Sequence, residues 1–340
     1  MLEDHGPKRS WHWQELDRAR VELLIDELHE MGTSIIRFTG GGEPLLYPGV
    51  FDIISRVKAH GIYCAVTTAL PLRRPGIAET ILSCGLDELA VSLWASSRDE
   101  YVLTHPNQPP WVFDRITEIL GGILQERRSR KSTSRFLRPA VTRPRVHILN
   151  VICNRNCRSI EAMYDYAINL GADSVHFTIV DTIDGVTDAL LLSDDEYAAT
   201  LRACRLVRKK NDDLPARARI HLDGFDDFER RLQAASTVGG LHDREAVNAI
   251  PCYIGWLFAR IMADGQVAPC CRGVHVPMGN VNTAAFKDIW YSKKYDDFRR
   301  RSLVEDKSTA LFSGIGCEKV CDNHVHNMDI HRLLQTEKPS

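Results

Sequence analysis

No stretch of this chain approaches the roughly 20 consecutive apolar residues that a membrane-crossing helix needs. The opening MLEDHGPKRSWHW also lacks the apolar core of a secretory signal. No membrane partner is expected, and the default compartment is the cytoplasm. Excess charge of either sign is missing as well: 43 basic against 45 acidic residues leave a formal charge of -2. Nothing therefore pulls the whole molecule toward nucleic acid or anionic lipid, and no nucleic-acid partner is expected. The acid-free run RRSRKSTSRFLRPAVTRPR, 127–145, reads as a solvated loop between a helix and a strand. Cysteine is absent from the front of the chain, with none before Cys64.

Cysteine is nevertheless abundant, with 10 in 340 residues. In a cytosolic protein these are not expected to form a disulfide framework, so clustered thiols point to metal and scattered ones to core filling. Cys64, Cys84 and Cys204 stand alone in apolar or helical surroundings and read as small buried residues. Cys252, Cys270, Cys271, Cys317 and Cys321 crowd into the last quarter. A hydrophobic content of 44% over this length supports one large domain and a smaller one.

Four joints share one grammar: MGTSIIRF, HGIYCAV, CGLDELAV and LGADSVHF. In each, an amphipathic stretch ends at a glycine placed for a left-handed cap, and a β-rich run comes next. This predicts helices near 14–31, 49–60, 76–84 and 159–170, and strands near 35–39, 62–67, 88–94 and 174–180. A further helix over 111–128 precedes a strand over 145–152. Serial βα units imply a parallel sheet, with ligands at the carboxyl ends of its strands. The first helix has no strand before it, so a strand is expected to be missing from the front.

The stretch RFTGGGEPLL, 37–46, lies at such a strand end. It carries neither the Lys-Ser/Thr of a P-loop nor GxGxxG spacing. Open glycine amides beside the Glu43 carboxylate suit a cationic ammonium better than a phosphate. Near the other end, Cys252 and Cys270 flank the ADGQV turn between two β-rich runs, and Cys317 and Cys321 lie one helical turn apart. Four such thiols suit a tetrahedral zinc or an iron-sulfur cluster, and spacing alone does not choose. Cys271 could replace Cys270, but neighbours on a strand point to opposite faces, so one of the two ligates. His324 and His326 read as part of a polar surface tail.

TGGGEPLL after a strand, within serial βα units, resembles the radical S-adenosylmethionine (radical SAM) superfamily. Cys252, twelve residues, Gly265, four residues and Cys270 resemble the opening of its SPASM and twitch auxiliary domains, and MGNVNTAAFKDIW is similar to the next segment of those domains. The resemblance implies a partial (β/α)6 barrel lacking its first strand over 1–190, a helical connection over 191–248, and a small cysteine-rich auxiliary domain over 249–340. It implies S-adenosylmethionine at Gly41, Gly42, Glu43 and Pro44, with Thr68, Ser92 and Asn150 as further contacts. It also implies one auxiliary 4Fe-4S cluster on Cys252, Cys270, Cys317 and Cys321.

The implied activity is hydrogen abstraction by a 5'-deoxyadenosyl radical from a peptide or small-molecule substrate, selected in part by the 181–193 loop, with a flavodoxin- or ferredoxin-type electron donor. Two departures stand out. The family's C-x3-C-x2-C motif, which holds the cofactor-cleaving cluster, is absent, and with the missing strand this leads to the expectation of a chain that starts late. Ala69-Leu70 also stands where the family often has Asn-Gly. The alternatives are a catalytically inactive binding or scaffold protein and a zinc-stabilised α/β protein.

Overall fold

The computed structural model describes residues 15–70, 75–133, 143–183, 185–234 and 241–336. Residues 134–142 of the basic run, and the chain before residue 15, lie outside the described residues. A parallel sheet runs in the order β1 (Ile35–Phe38), β2 (Tyr63–Thr68), β3 (Glu88–Ser92), β4 (Arg145–Ile152), β5 (Ser174–Ile179) and β6 (His221–Asp223). Helix α1 (Arg18–Glu30) precedes β1; the intervening helices are α2 (Val50–Ala59), α3 (Ile77–Ser83), α4 (Arg98–Thr104), α5 (Trp111–Thr133), α6 (Ile160–Leu170) and α7 (Asp194–Asp212); α8 (Phe225–Ala234) comes after β6.

Alternation along the strands decides which face the helices cover. Val66, Leu89, Val91, Ile148, Ile152, Val175 and Phe177 join the core with Ile54, Ile116 and Tyr164 from the helices. On the other face Thr67, Ser92, Leu149, His176 and Thr178 stay partly open. The four joint glycines, Gly32, Gly61, Gly85 and Gly171, all take positive φ, as the sequence grammar predicts.

The partial barrel is present, and it gains a strand. Segment 191–248, expected as a helical connection, is helical over α7, α8 and α9 (Arg244–Asn248) but also supplies β6. Three residues, HLD, are too short to show a strand period, so only their parallel pairing with Ser174–His176 reveals them. Helix α4, also unanticipated, starts where the Ser97 side chain accepts from the Glu100 amide.

The last part of the chain builds a second core. Strands β7 (Arg260–Ile261), β8 (Gln266–Ala268) and β9 (Gly279–Asn280) pair antiparallel. The ADGQV turn holds Gly265 at φ +85°, where a Cβ would stand 2.5 Å from the Asn282 amide nitrogen. Helices α10 (Ile254–Leu257), α11 (Phe286–Trp290), α12 (Lys293–Val304), α13 (Ala310–Ile315) and α14 (His324–Thr336) complete it. The expected polar tail is thus a helix, and His324 is buried on it.

Helix α1 joins the two parts: Ile25 enters the first core and Leu24 the second. Arg20 donates to the Val281 carbonyl at 2.7 Å, and the Phe286 amide donates to Glu27 at 2.7 Å. Among the described residues no helix is long and apolar enough to cross a membrane.

Candidate functional site

The turn after β1 presents Gly40, Gly41 and Gly42 with nothing within 4 Å of the position a Cβ would take. Gly41 has φ +134°, a conformation that favours glycine. Glu43 is braced from below. Its Oε1 accepts from the Leu45 amide at 3.0 Å and the Thr68 hydroxyl at 2.5 Å, and its Oε2 accepts from the Ala69 amide at 2.8 Å. A carboxylate offers about four acceptor directions, so one on Oε2 stays open to a cation. Pro44 begins a single 3-10 turn, Pro44–Leu46, that carries the chain away.

Thr68 is therefore a partner of Glu43, and its oxygen also accepts from the Leu70 amide at 2.7 Å. Leu70 has φ +53° and is fully buried. The backbone keeps a left-handed position here with a leucine where the resembled family often has glycine. Ser92 ends β3 on the open face of the sheet. Asn150 does not join these residues. It shares a strand face with Ile148 and Ile152, which face the helices, and it is completely buried with both amide atoms lacking a partner. The 181–193 loop comes after β5, on the same edge as the glycine turn.

The auxiliary cysteines lie over that edge, where Arg272, the residue after Cys271, pairs with Asp181 just beyond β5. Cys252 donates its amide to the Ser302 carbonyl at 3.1 Å, and its sulfur accepts from the Asn327 side-chain amide at 3.7 Å. The Cys270 sulfur accepts from the Gly273 amide at 3.2 Å. Cys317 comes after the left-handed cap of α13 at Gly316. Cys321 is gripped at both backbone atoms: its amide donates to Asp243 at 2.5 Å, and its carbonyl accepts from Arg231 at 3.0 Å.

Burial pushes all four thiols up, Cys270 and Cys317 to about 12, and neighbouring cysteines add to the effect at Cys270, Cys317 and Cys321. Cys317 feels Cys252, Cys270 feels Cys317 and Cys252, and Cys321 feels Cys252 and Cys317. Cys271 instead senses Asp322, Asn323 and Arg260. The thiol that shares the neighbourhood is Cys270.

These four thiols are neighbours, yet among the described residues no three His, Cys, Asp or Glu side chains converge on one ion-sized point. Four thiols of this kind, Cys270 buried and Cys252, Cys317 and Cys321 half-buried, suit an iron-sulfur cluster in donor chemistry.

Several residues of the site gave no signal in the sequence. Arg231, Asp243, Arg260 and Arg272 belong to no motif, and their roles come only from folding. Outside the site, Cys153 and Cys157 follow the end of β4 in the spacing CNRNC. Both are buried there, with Asn156 Oδ1 accepting from the Cys153 amide at 2.8 Å.

The radical SAM superfamily matches residues 4–132, and SPASM, an iron-sulfur cluster-binding domain, matches residues 252–312. The chain is 26% identical over 280 residues to the AdoMet-dependent heme synthase of Methanosarcina barkeri, covering 81% of this chain and 73% of that protein. It is 24% identical over 289 residues to the PqqA peptide cyclase of Gluconobacter oxydans, covering 81% and 68%. The crystal structure of Streptococcus suis SuiB bound to S-adenosylmethionine superposes with a TM-score of 0.60 at 16% identity, over 89% of this chain and 65% of that one. At that identity the likeness is one of fold.

Proposed function

We propose that this chain, which belongs to the radical SAM superfamily and carries a SPASM iron-sulfur domain, binds S-adenosylmethionine over the carboxyl ends of β1–β3 and a 4Fe-4S cluster on Cys252, Cys270, Cys317 and Cys321. The observation that carries this reading is the placement of both on one edge: the Glu43 turn and the four thiols lie at the same strand ends. Glu43, with its open Oε2 direction, takes the methionyl ammonium. The Gly41 and Gly42 amides and Pro44 shape the turn around it, and Thr68 holds the carboxylate in place. Ser92, at the end of β3 on the open face of the sheet, is a further contact in this reading.

S-adenosylmethionine, when reduced, supplies the 5'-deoxyadenosyl radical that abstracts hydrogen from substrate, with methionine released. The role of this chain's own residues is to orient the cofactor's ammonium, keep the reacting edge covered, and hold a second electron carrier above it. The substrate is a peptide or small metabolite. One relative is named for peptide cyclisation, SuiB is known in complex with a precursor peptide, and another relative is named for haem synthesis. The reaction takes place in the cytoplasm, with a flavodoxin- or ferredoxin-type donor.

One observation favours a second reading: the chain has no cysteine before Cys64, so it holds no C-x3-C-x2-C motif for the cofactor-cleaving cluster. A module that binds the cofactor without cleaving it would show the same site. Equilibrium dialysis with S-adenosylmethionine after anaerobic reconstitution, followed by product analysis under dithionite, separates the readings. Binding without 5'-deoxyadenosine supports the module. Binding with 5'-deoxyadenosine, once the cysteine motif is supplied, supports the enzyme. Absence of both iron and cofactor binding overturns the proposal.

A further inference from the structure

Among the described residues, the glycine turn is held to the cysteine-bearing part of the chain by one side chain. Arg260, the first residue of β7, donates through Nη2 to the Gly40 carbonyl at 3.0 Å and through Nη1 to the Cys271 carbonyl at 2.9 Å. The first acceptor opens the GGGEP turn, and the second belongs to the residue right after Cys270. A planar guanidinium spans two acceptors in fixed geometry, which an ammonium does not.

Little else restrains the upper part of the turn. Among the described residues the amides of Gly40, Gly41 and Gly42 make no hydrogen bond, and no atom stands within 4 Å of their missing side chains. Glu43 is fixed from the β2 side through Thr68 and Ala69, so the three glycines before it depend on Arg260 for their second anchor. At its other end, Arg260 lies in the register that pairs it with Ala268, two residues before Cys270. Any ordering of the Cys270–Gly273 turn, where the Cys270 sulfur already accepts the Gly273 amide, is felt at the Cys271 carbonyl.

We infer that Arg260 is a positioning residue that couples the occupancy of the four-cysteine site to the geometry of the glycine turn, so that loading the cluster tightens S-adenosylmethionine binding. By linkage the effect is reciprocal: bound cofactor steadies the cluster. The inference rests on the proposed cofactor site, and its test is arranged so that the two can fail separately.

The dissociation constant for S-adenosylmethionine is measured by anaerobic equilibrium dialysis on the whole chain, cluster-loaded and after chelation, for wild type, Arg260→Ala and Arg260→Lys. Wild type is expected to lose affinity by about tenfold on cluster removal, the scale of one charge-assisted hydrogen bond. In R260A the loaded-to-stripped ratio falls to about one, while iron content stays at the wild-type level. R260K keeps the charge but not the two-armed span, and recovers only part of the ratio. A wild-type ratio in R260A overturns the inference, since a residue that merely stabilised the fold would leave the ratio unchanged.

Hydrogen exchange of the segment 39–46 gives a second readout that needs no cofactor. Cluster loading is expected to slow exchange there in wild type and not in R260A. If wild type fails to bind S-adenosylmethionine, the cofactor proposal falls by itself, and equal protection in the two proteins then overturns the role of Arg260.

Discussion

The Thr68 hydroxyl stands 2.5 Å from Glu43 Oε1, tying the last residue of β2 to the turn after β1. Thr68 is 2% exposed, so this bond is made away from water. It makes Glu43 part of the sheet edge rather than a free loop carboxylate.

Thr68→Val removes that donor and the acceptor for the Leu70 amide. We expect a loss of about 1–3 kcal/mol in urea unfolding, the range for a buried hydrogen-bonded group left unpaired. S-adenosylmethionine affinity falls with it, because Oε1 loses its restraint. Unchanged affinity in a folded T68V protein would detach Thr68 from the site.

Much of this edge could be read from the chain. The glycine-ended helices placed β1, β2, β3 and β5 to within a residue or two, because each joint combines a cap signal with a change of hydrophobic period, and the apolar run RVHILNVI placed β4. Glycines before Glu43 and Pro44 marked the turn, and the spacing around Gly265 marked the cysteine hairpin. The features that the chain hid were set by neighbours distant in sequence. Asn150 looked like a strand-end polar residue, but strand alternation turns it to the helix face. Strand β6 is too short to carry a period. Arg231 and Asp243 meet Cys321 only after folding, 90 and 78 residues away in sequence.

Acid should weaken the fold before carboxylates protonate. Burial holds His105 and His147 below the usual histidine range, so both are neutral in the folded chain where the unfolded chain would already be charged. Depressed folded values mean stability that is present above about pH 6.5 and lost as pH falls through the folded values. Urea midpoints measured from pH 8 to 5 should decline below about pH 6.5, and His147→Gln should flatten the slope. An identical slope in the variant would contradict the assignment.

Lys307 sets a charge beside the thiols. It is 4% exposed and donates to the Ser302 carbonyl at 2.9 Å, the same oxygen that accepts the Cys252 amide. Its ammonium lies 4.5 Å from the Phe312 ring centre. Replacing it with methionine removes a buried positive charge near the ligands, so a bound cluster should become harder to reduce, by ~50 mV. Redox titration followed by electron paramagnetic resonance checks this, and an unshifted potential would place Lys307 outside the electrostatics of the site.

Cys270 and Cys271 are adjacent but face different surroundings, which makes them a matched pair of variants. Cys271→Ser should retain iron and sulfide at wild-type levels, whereas Cys270→Ser should lose most of both. The reverse pattern would exchange their roles.

The most direct test is metal content after anaerobic reconstitution of the wild-type chain, set against a Cys252→Ser/Cys317→Ser double variant. The account predicts iron and acid-labile sulfide in equal amounts in the wild type, with charge-transfer absorption that the double variant lacks. Zinc in place of iron, or iron retained in full without those two thiols, would contradict it.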